Sequence, residues 1–500
     1  MSQQQQPFDT IAALDLGSNS FHMIVARLRE EGEPVVIDKL RDPVRLGNGI
    51  DSEGHLSAEA RQRAIDCLRR FGQRLTGLPP GSVRAVGTNT LRNTRNSAQF
   101  LAEAEEALGH PIDVISGVEE ARLIYLGVAQ SLETDGKRRF VMDIGGGSTE
   151  LIIGETTTPK WLESLEMGCV SVTRKFFGDG LINSANIKRA RLHAMRELFP
   201  VARGFRKRGW DQAVGASGTI RATASVIRAL ALGPGTITPK ILDRLIDEMK
   251  QIGEIDQVEL PGLNKDRAPV FIGGLIVLRA TFEALGIEQM EPSDGALREG
   301  LLYDLIGRIH HEDIRGRSVA GLAKRYHADE EHAQQVEETA LDGFQQVKKA
   351  WSLENEDRQW LQWAARLHEI GIDIAHSRHH HHGAYIIANA DLPGFTQQEQ
   401  QMLACLVLAH RRKFPHKAIK ELPRRLSRKT RRMAVLLRLA VILRRDRSQT
   451  PPPPFKLKAD NKILEIKFPK GWLEEHPLTR ADLEQEAQWL AAANIELSFR

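Results

Sequence analysis

The sequence has little cysteine. Cys67, Cys169 and Cys405 stand far apart in a chain of 500 residues. No pair has the spacing of a metal site, and no disulfide framework can be built, so a reducing compartment, the cytoplasm, is expected. Long apolar runs are scarce too. Met433 to Leu443 is about half a bilayer span and is interrupted by Arg438, so no transmembrane helix is expected. The lead from Met1 to Thr10 is Gln-rich without an apolar core, which excludes a signal peptide there as an expectation. Neither disorder nor a fibrous repeat fits 41% hydrophobic and 27% charged residues with Gly 41 and Pro 22. A globular chain of this length exceeds one ordinary core and should form three or four domains.

Charge is balanced overall but not along the chain. Between Arg411 and Arg447 fifteen Lys or Arg face two acids, Glu421 and Asp446, a local charge of +13 within a total of +4. Most helical faces carry mixed charges. A face of nearly one sign points to a polyanionic partner. The stretch lacks aromatic interleaving, Phe414 being its one aromatic, so nucleic acid is not the expected polyanion.

An internal repeat organises the first half. Asp15-Leu16-Gly17-Ser18-Asn19-Ser20 aligns with Asp143-Ile144-Gly145-Gly146-Gly147-Ser148 at an offset of 128 residues. Each copy reads as an apolar strand carrying Asp, a turn of small residues, and a second strand. Successive amides of such turns can converge on one anion. After the first copy the pattern alternates: strand Val35–Leu40, helix Ser57–Gly72 capped by Ser57, strand Val83–Thr88, helix Ala98–Ala107 and strand Ile112–Ile115. Two α/β lobes are therefore expected, 1–124 and 125–306, the second with another small-residue turn at Gly215–Thr219. From 307 to 447 the periodicity is helical, with helices at Ser318–Tyr326, His332–Ala350, Arg358–Ile370, Gln397–His410 and Thr430–Arg445. Pro451–Pro454 then reads as a stiff linker. The remainder of 448–500 reads as a small α+β domain with strands at Phe455–Lys458, Ile463–Phe468 and Ile495–Phe499.

Two facing phosphate turns need a cation to offset phosphate charge and carboxylates to hold it or to activate a nucleophile. Asp15 and Asp143 end equivalent strands, and Glu150 follows the second turn inside an apolar strand, where an acid must face solvent or serve a function. Glu119 and Glu120 open a helix, where they could simply complement its dipole. Arg92 follows a strand-end turn and could bind phosphate or a carboxylate.

Here the residues carry a resemblance. Asp15–Met23, Gly87–Arg92, Glu119-Glu120-Ala121-Arg122-Leu123, Asp143–Glu150, Gly215–Thr219 and Ser293–Gly300 together resemble the exopolyphosphatase/guanosine pentaphosphate phosphohydrolase family, within the actin, sugar kinase and chaperone superfamily. The resemblance implies two actin-like (ribonuclease H-like) lobes with an active-site cleft. It implies Glu119 as general base and Arg92 on the terminal phosphate. Ser18, Asn19, Ser20 and Gly145, Gly146, Gly147, Ser148 would line the phosphate loops, with Gly215, Ser217, Gly218 and Thr219 also on substrate. Asp143, Glu150 and Asp15 would hold Mg²⁺. The implied reaction is processive hydrolysis of terminal phosphate from inorganic polyphosphate, the alternative being hydrolysis of guanosine pentaphosphate. A homodimer and a cytoplasmic location, with contact to the inner membrane face left open, are implied in the same way. A kinase of the same superfamily, a non-catalytic polyphosphate sensor and nucleic-acid binding are weaker expectations.

Segment 307–447 resembles an HD-type metal phosphohydrolase domain through His332, His368-Glu369 and Leu437–Val441. Glu369 replaces the expected Asp, and Val441, which cannot bind a metal, replaces the last one, so this domain is expected to have lost its metal site. His376 is the histidine expected to contact substrate. The run His379–His382 is expected to be a solvated loop, with lining of the polyphosphate path the next reading and metal binding the weakest.

Overall fold

The computed structural model describes residues 8–29, 34–51, 53–132, 135–309, 314–491 and 493–500. Most of the Met1–Thr10 lead lies outside them. The chain divides into two compact units, Met1–Glu312 and Asp313–Arg500.

The first unit contains the repeat as a repeated sheet. Strands β1 (Thr10–Leu16), β2 (Phe21–Arg27), β3 (Val35–Asp42), β4 (Val83–Gly87) and β5 (Ile112–Val114) order as β3-β2-β1-β4-β5. Strands β6 (Arg138–Ile144), β7 (Thr149–Glu155), β8 (Thr158–Leu165), β9 (Gln212–Ala216) and β10 (Glu291–Pro292) order as β10-β9-β6-β7-β8. These are one topology: an antiparallel meander of three strands, then two strands added in parallel beside the first. Crossover helices supply the parallel additions, including Ala58–Leu75, which Ser57 caps by accepting from Ala60 N–H.

The expected boundary at 124/125 falls inside a helix, Gly117–Gln130. That helix and Leu297–Ile309 lie between the sheets and share one core with Ile11, Ile24, Val86, Val141, Ile152 and Val214, so both sheets close on a common layer. The two helices pack backbone to backbone. A Cβ on Gly300 would lie 1.8 Å from the Leu123 carbonyl oxygen, and one on Gly127 2.1 Å from that of Ala296. Helix Ala268–Leu285 is long and apolar enough to cross a membrane, with mean hydropathy 1.6, which reading the Met433–Leu443 run alone misses. In this fold 72% of it is buried in the core of the second lobe, against helices Cys169–Phe176, Ser184–Arg208 and Pro239–Ile252.

The second unit packs helices Arg315–Arg325, Glu330–Val347, Asn355–Leu367, His379–Asn389, Gln397–Ala409 and Arg424–Leu443 around one core. Strands β11 (Lys456–Ala459), β12 (Ile463–Lys467) and β13 (Glu496–Phe499) form a small sheet. Segment 448–500 does not keep a core of its own: Leu457, Leu464, Ile466, Leu483 and Leu490 join that of the helices. So short a segment buries too little surface alone. Arg438, fully buried, donates to both carboxylate oxygens of Glu486 and ties the segment to the helices.

Candidate active site

The β1–β2 and β6–β7 turns line the same cleft. Gly17 to Ser20 and Gly145 and Gly146 border one cavity of about 90 Å³. The backbone sets which groups face it. Ser18 and Asn19 carbonyls accept from Gly47 N–H at 2.8 Å and Arg45 N–H at 2.9 Å. Gly145 and Gly146 carbonyls accept from Cys169 and Val170 N–H, each at 2.9 Å. A trans peptide points its N–H opposite to its C=O. The amides of Asn19, Ser20, Gly146 and Gly147 therefore face away from these braces, on the cleft side. Side chains add to this: Asn19 Nδ2 and Ser20 Oγ are buried with no hydrogen-bond partner. Unpartnered buried donors are costly, and an anion in the cleft would satisfy them. A Cβ on Gly147 would lie 2.0 Å from Asn89 Oδ1, so the Asn89 side chain would have to turn aside.

Carboxylates gather beside the turns. Asp143 and Glu150 face each other across the β6–β7 pair, as Asp15 and His22 do across β1–β2. Asp143, almost fully buried, accepts from Ser217 Oγ at 2.5 Å. Burial pushes it up to about 6 despite that hydrogen bond. Glu150 is completely buried and accepts from Ser164 Oγ at 2.9 Å, while its other oxygen has no partner. Burial, then the charges of Glu120 and Asp143, hold it well above the usual carboxylate range. Asp15 is raised likewise by burial, then by Glu120 and Asp143.

The geometry separates Glu119 from Glu120. Glu119 is completely buried, and Arg122 Nε and Nη2 donate to its two oxygens at 2.8 Å each. Arg122 also donates to Asp304 at 2.5 Å, which completes a salt-bridge network between the two packed helices. A carboxylate held this way on both oxygens does not fit the general-base role that the resemblance gives it. Its neighbour does. Glu120 accepts from Arg92 Nη1 at 3.0 Å and acts electrostatically on Asp15, Asp143 and Glu150. Burial raises its carboxyl, opposed by Arg92.

Other expectations divide similarly. Ser217 and Gly218 line the cleft, but Gly215 and Thr219 do not. A Cβ on Gly215 would meet Ile220 and Met290, and Thr219 packs on Gly274, so both serve packing. Ser148 is buried in the second turn beside Glu150. His376 is exposed in the other unit, its ring 5.9 Å from that of His379. The expected loop at His379–His382 is the first turn of a helix, with His379 and His380 buried. Sequence reasoning missed a cationic rim of Arg221, Arg267 and Arg298, and beside it His22, all of which also line the cleft. Arg298 donates to His22 Nδ1 at 3.1 Å, and burial with Arg298 holds His22 down at about 3, neutral. Two signals were available. His22 occupies the repeat position of Glu150, and Arg221 lies one helical turn beyond Ser217.

These residues suit a hard divalent cation. The donors are all carboxylate oxygens, their charges raise one another, and one buried oxygen of Glu150 is unpartnered. Among the described residues no three of these acids converge as a ready cage. That fits Mg²⁺, which keeps waters and takes only one or two carboxylates plus substrate phosphates.

Comparison with known proteins agrees with this architecture. A family profile described as Ppx/GppA phosphatase family matches residues 24–309, and one described as Ppx/GppA phosphatase, domain III matches 314–487. The chain is 43% identical to the guanosine-5′-triphosphate,3′-diphosphate pyrophosphatase of Aeromonas hydrophila over 95% of its length and 96% of that protein. The protein of the same name from Aeromonas salmonicida is 41% identical over the same shares. The crystal structure of an exopolyphosphatase from Cytophaga hutchinsonii superposes with a TM-score of 0.54 at 23% identity, covering 60% of this chain and 98% of that one, and so supports the fold.

Proposed function

The chain belongs to the Ppx/GppA phosphatase family, phosphoanhydride hydrolases on an actin-like scaffold, and from that premise we propose that it removes the terminal 5′-phosphate of guanosine 5′-triphosphate,3′-diphosphate. The observation that carries this choice is the pair of relatives so named, each matched over 95% of this chain. It reverses the order of preference that the sequence suggested, in which polyphosphate came first. The cleft supports it chemically: the turns suit one phosphoryl group, and the Arg221, Arg267 and Arg298 rim suits further phosphates of the same molecule.

In this reading the amides of the two turns hold the terminal phosphoryl group, with Asn19 and Ser20 donating to its oxygens. Arg92 orients Glu120. Glu120 takes a proton from the attacking water as the new P–O bond forms in line with the breaking bond to the bridging oxygen. Orthophosphate and the guanosine tetraphosphate leave. Burial makes Glu120 a stronger base than an exposed carboxylate, which suits proton abstraction near neutral pH. A Mg²⁺ ion, held by Asp143 and Glu150 with Asp15 close by, would offset the charge on the phosphates. The remainder of catalysis is positioning and fixed dipoles.

Inorganic polyphosphate is the second reading, favoured by the exposed Arg424, Arg425 and Arg428 on helix Arg424–Leu443 of the second unit. Phosphate release from both substrates, with Mg²⁺ present, decides between them. A higher kcat/KM for the guanosine compound is expected. A higher value for long-chain polyphosphate overturns the proposal, and loss of both activities in Glu120→Gln is required by either reading.

A further inference from the structure

The two phosphate turns belong to different lobes, yet gripping one phosphoryl group requires that they keep one separation. Direct contact limits how closely they approach, since a Cβ on Gly146 would lie 2.7 Å from Ser18 Cβ. Contact of this kind does not resist parting. A hydrogen-bonded path does, and it runs behind the cleft.

The path starts from the brace of each turn. In the first lobe, Arg45 and the 3₁₀ turn Leu46–Gly49 hold the Asn19 and Ser18 carbonyls from behind, through the Arg45 and Gly47 amides. In the second, helix Cys169–Phe176 does the same for Gly145 and Gly146, and Ser171 N–H adds a bond to the Gly146 carbonyl at 3.0 Å. Arg174 joins the two braces. It lies on that helix just over one turn beyond Cys169. Its Nη1 donates to the Gly47 carbonyl at 3.2 Å and to the Ile50 carbonyl at 3.4 Å, one bond for each of its hydrogens. Buried Gly47 is therefore held on both sides: its N–H donates to Ser18 in its own lobe, and its carbonyl accepts from Arg174 in the other. A second tie runs beside this one. Arg45 Nη2 lies 3.1 Å from Asp266 Oδ1, and Asp266 adjoins Arg267 of the rim. That ion pair is exposed and worth little, so Arg174 carries the link.

We propose that Arg174 is a positioning residue, which fixes the separation of the two phosphate turns from outside the cleft and so the alignment of the phosphoryl group between them. The inference rests on the reading of the cleft as a phosphoanhydride site and holds for either substrate. Arg174 is not among the residues that line the cleft, so it acts through the turns rather than on the phosphates. A misplacement of about 1 Å in a reacting geometry can cost roughly 100-fold in rate. Loss of the link should therefore slow the bound complex more than it weakens binding.

Arg174→Met keeps an unbranched stem and removes the donors. Arg174 is exposed, so the variant should fold, which its urea unfolding midpoint verifies. On whichever substrate the wild type hydrolyses faster, kcat should fall about 10- to 100-fold while KM changes by less than about threefold. A second readout needs no substrate. The Arg45 and Gly47 amides exchange hydrogen only when their brace opens, so a peptide covering 45–50 should exchange faster in Arg174→Met, with helix Ala58–Leu75 unchanged. Unchanged exchange at 45–50 overturns the proposal, as does a kcat within about twofold of the wild type. A loss confined to KM also overturns it, because Arg174 would then be a direct contact to substrate. A wild type that hydrolyses neither substrate defeats the proposed function instead, and the exchange measurement then decides the link alone.

Discussion

Glu119 and Glu120 are adjacent in sequence, but a helix turns neighbours about 100° apart, and this gives them different partners. Glu119 faces Arg122 and Asp304 in the layer between the lobes, while Glu120 faces Arg92 and the cleft acids. Glu120→Gln should lower kcat by roughly 10²–10⁴, the usual worth of a general base, with little change in the unfolding midpoint. Glu119→Gln should do the opposite: Arg122 keeps Asp304 but loses its other carboxylate, at a cost of about 3 kcal/mol in denaturant unfolding. Steady-state kinetics and urea titration of both variants make the comparison. The motif itself gives no reason to choose between the two acids. Only the facing helix Leu297–Ile309, distant in sequence, marks which side is buried structure. For the same reason Arg267 was invisible: it lies in a loop and reaches the cleft through tertiary packing against Gly218.

At the level of elements, the helix carrying Glu120 is positioned by glycines of another. Gly300→Ala would put a methyl against the Leu123 carbonyl, a backbone atom that cannot step aside. Pushing the helices apart should cost about 3 kcal/mol and reduce kcat together with stability, because Glu120 moves with its helix. Thermal unfolding and kinetics on the one variant test that coupling. The β-α alternation and both hairpins were legible because strand period, turn residues and caps are local signals. The shared layer between the lobes was not. Its glycines in Ser293–Gly300 look in the sequence like a loop motif, and only the contact with Gly117–Gln130 explains them.

For the molecule as a whole, the buried acids make stability depend on pH and on cations. Burial raises Asp143 from 3.8 to about 6. A raised carboxyl disfavours its charged form in the fold, so its contribution is present in full below the unfolded value and is lost as pH rises through about 6. For this residue the loss is about 3 kcal/mol, and Asp15 and Glu150 act in the same direction. Other buried groups, His22 and Asp304 among them, titrate in the opposite sense, so the effect is read as a difference. In urea unfolding with a chelator, the stability of the wild type relative to Asp143→Asn should be lower near pH 8 than near pH 4. Excess Mg²⁺ should reduce that difference. In the second unit, Arg438→Met leaves the buried Glu486 carboxylate without its cation and should cost about 3–5 kcal/mol, read as a fall in the unfolding midpoint. The sequence showed Arg438 only as an interruption in an apolar run, since its partner lies on a helix forty-eight residues later. Helix Ala268–Leu285 has a consequence for synthesis on the ribosome. The helices that cover it, Cys169–Phe176, Ser184–Arg208 and Pro239–Ile252, all precede it in the chain. Each has left the exit tunnel before this segment emerges, so a sequence greasy enough to attract insertion machinery appears after, not before, the helices it packs against.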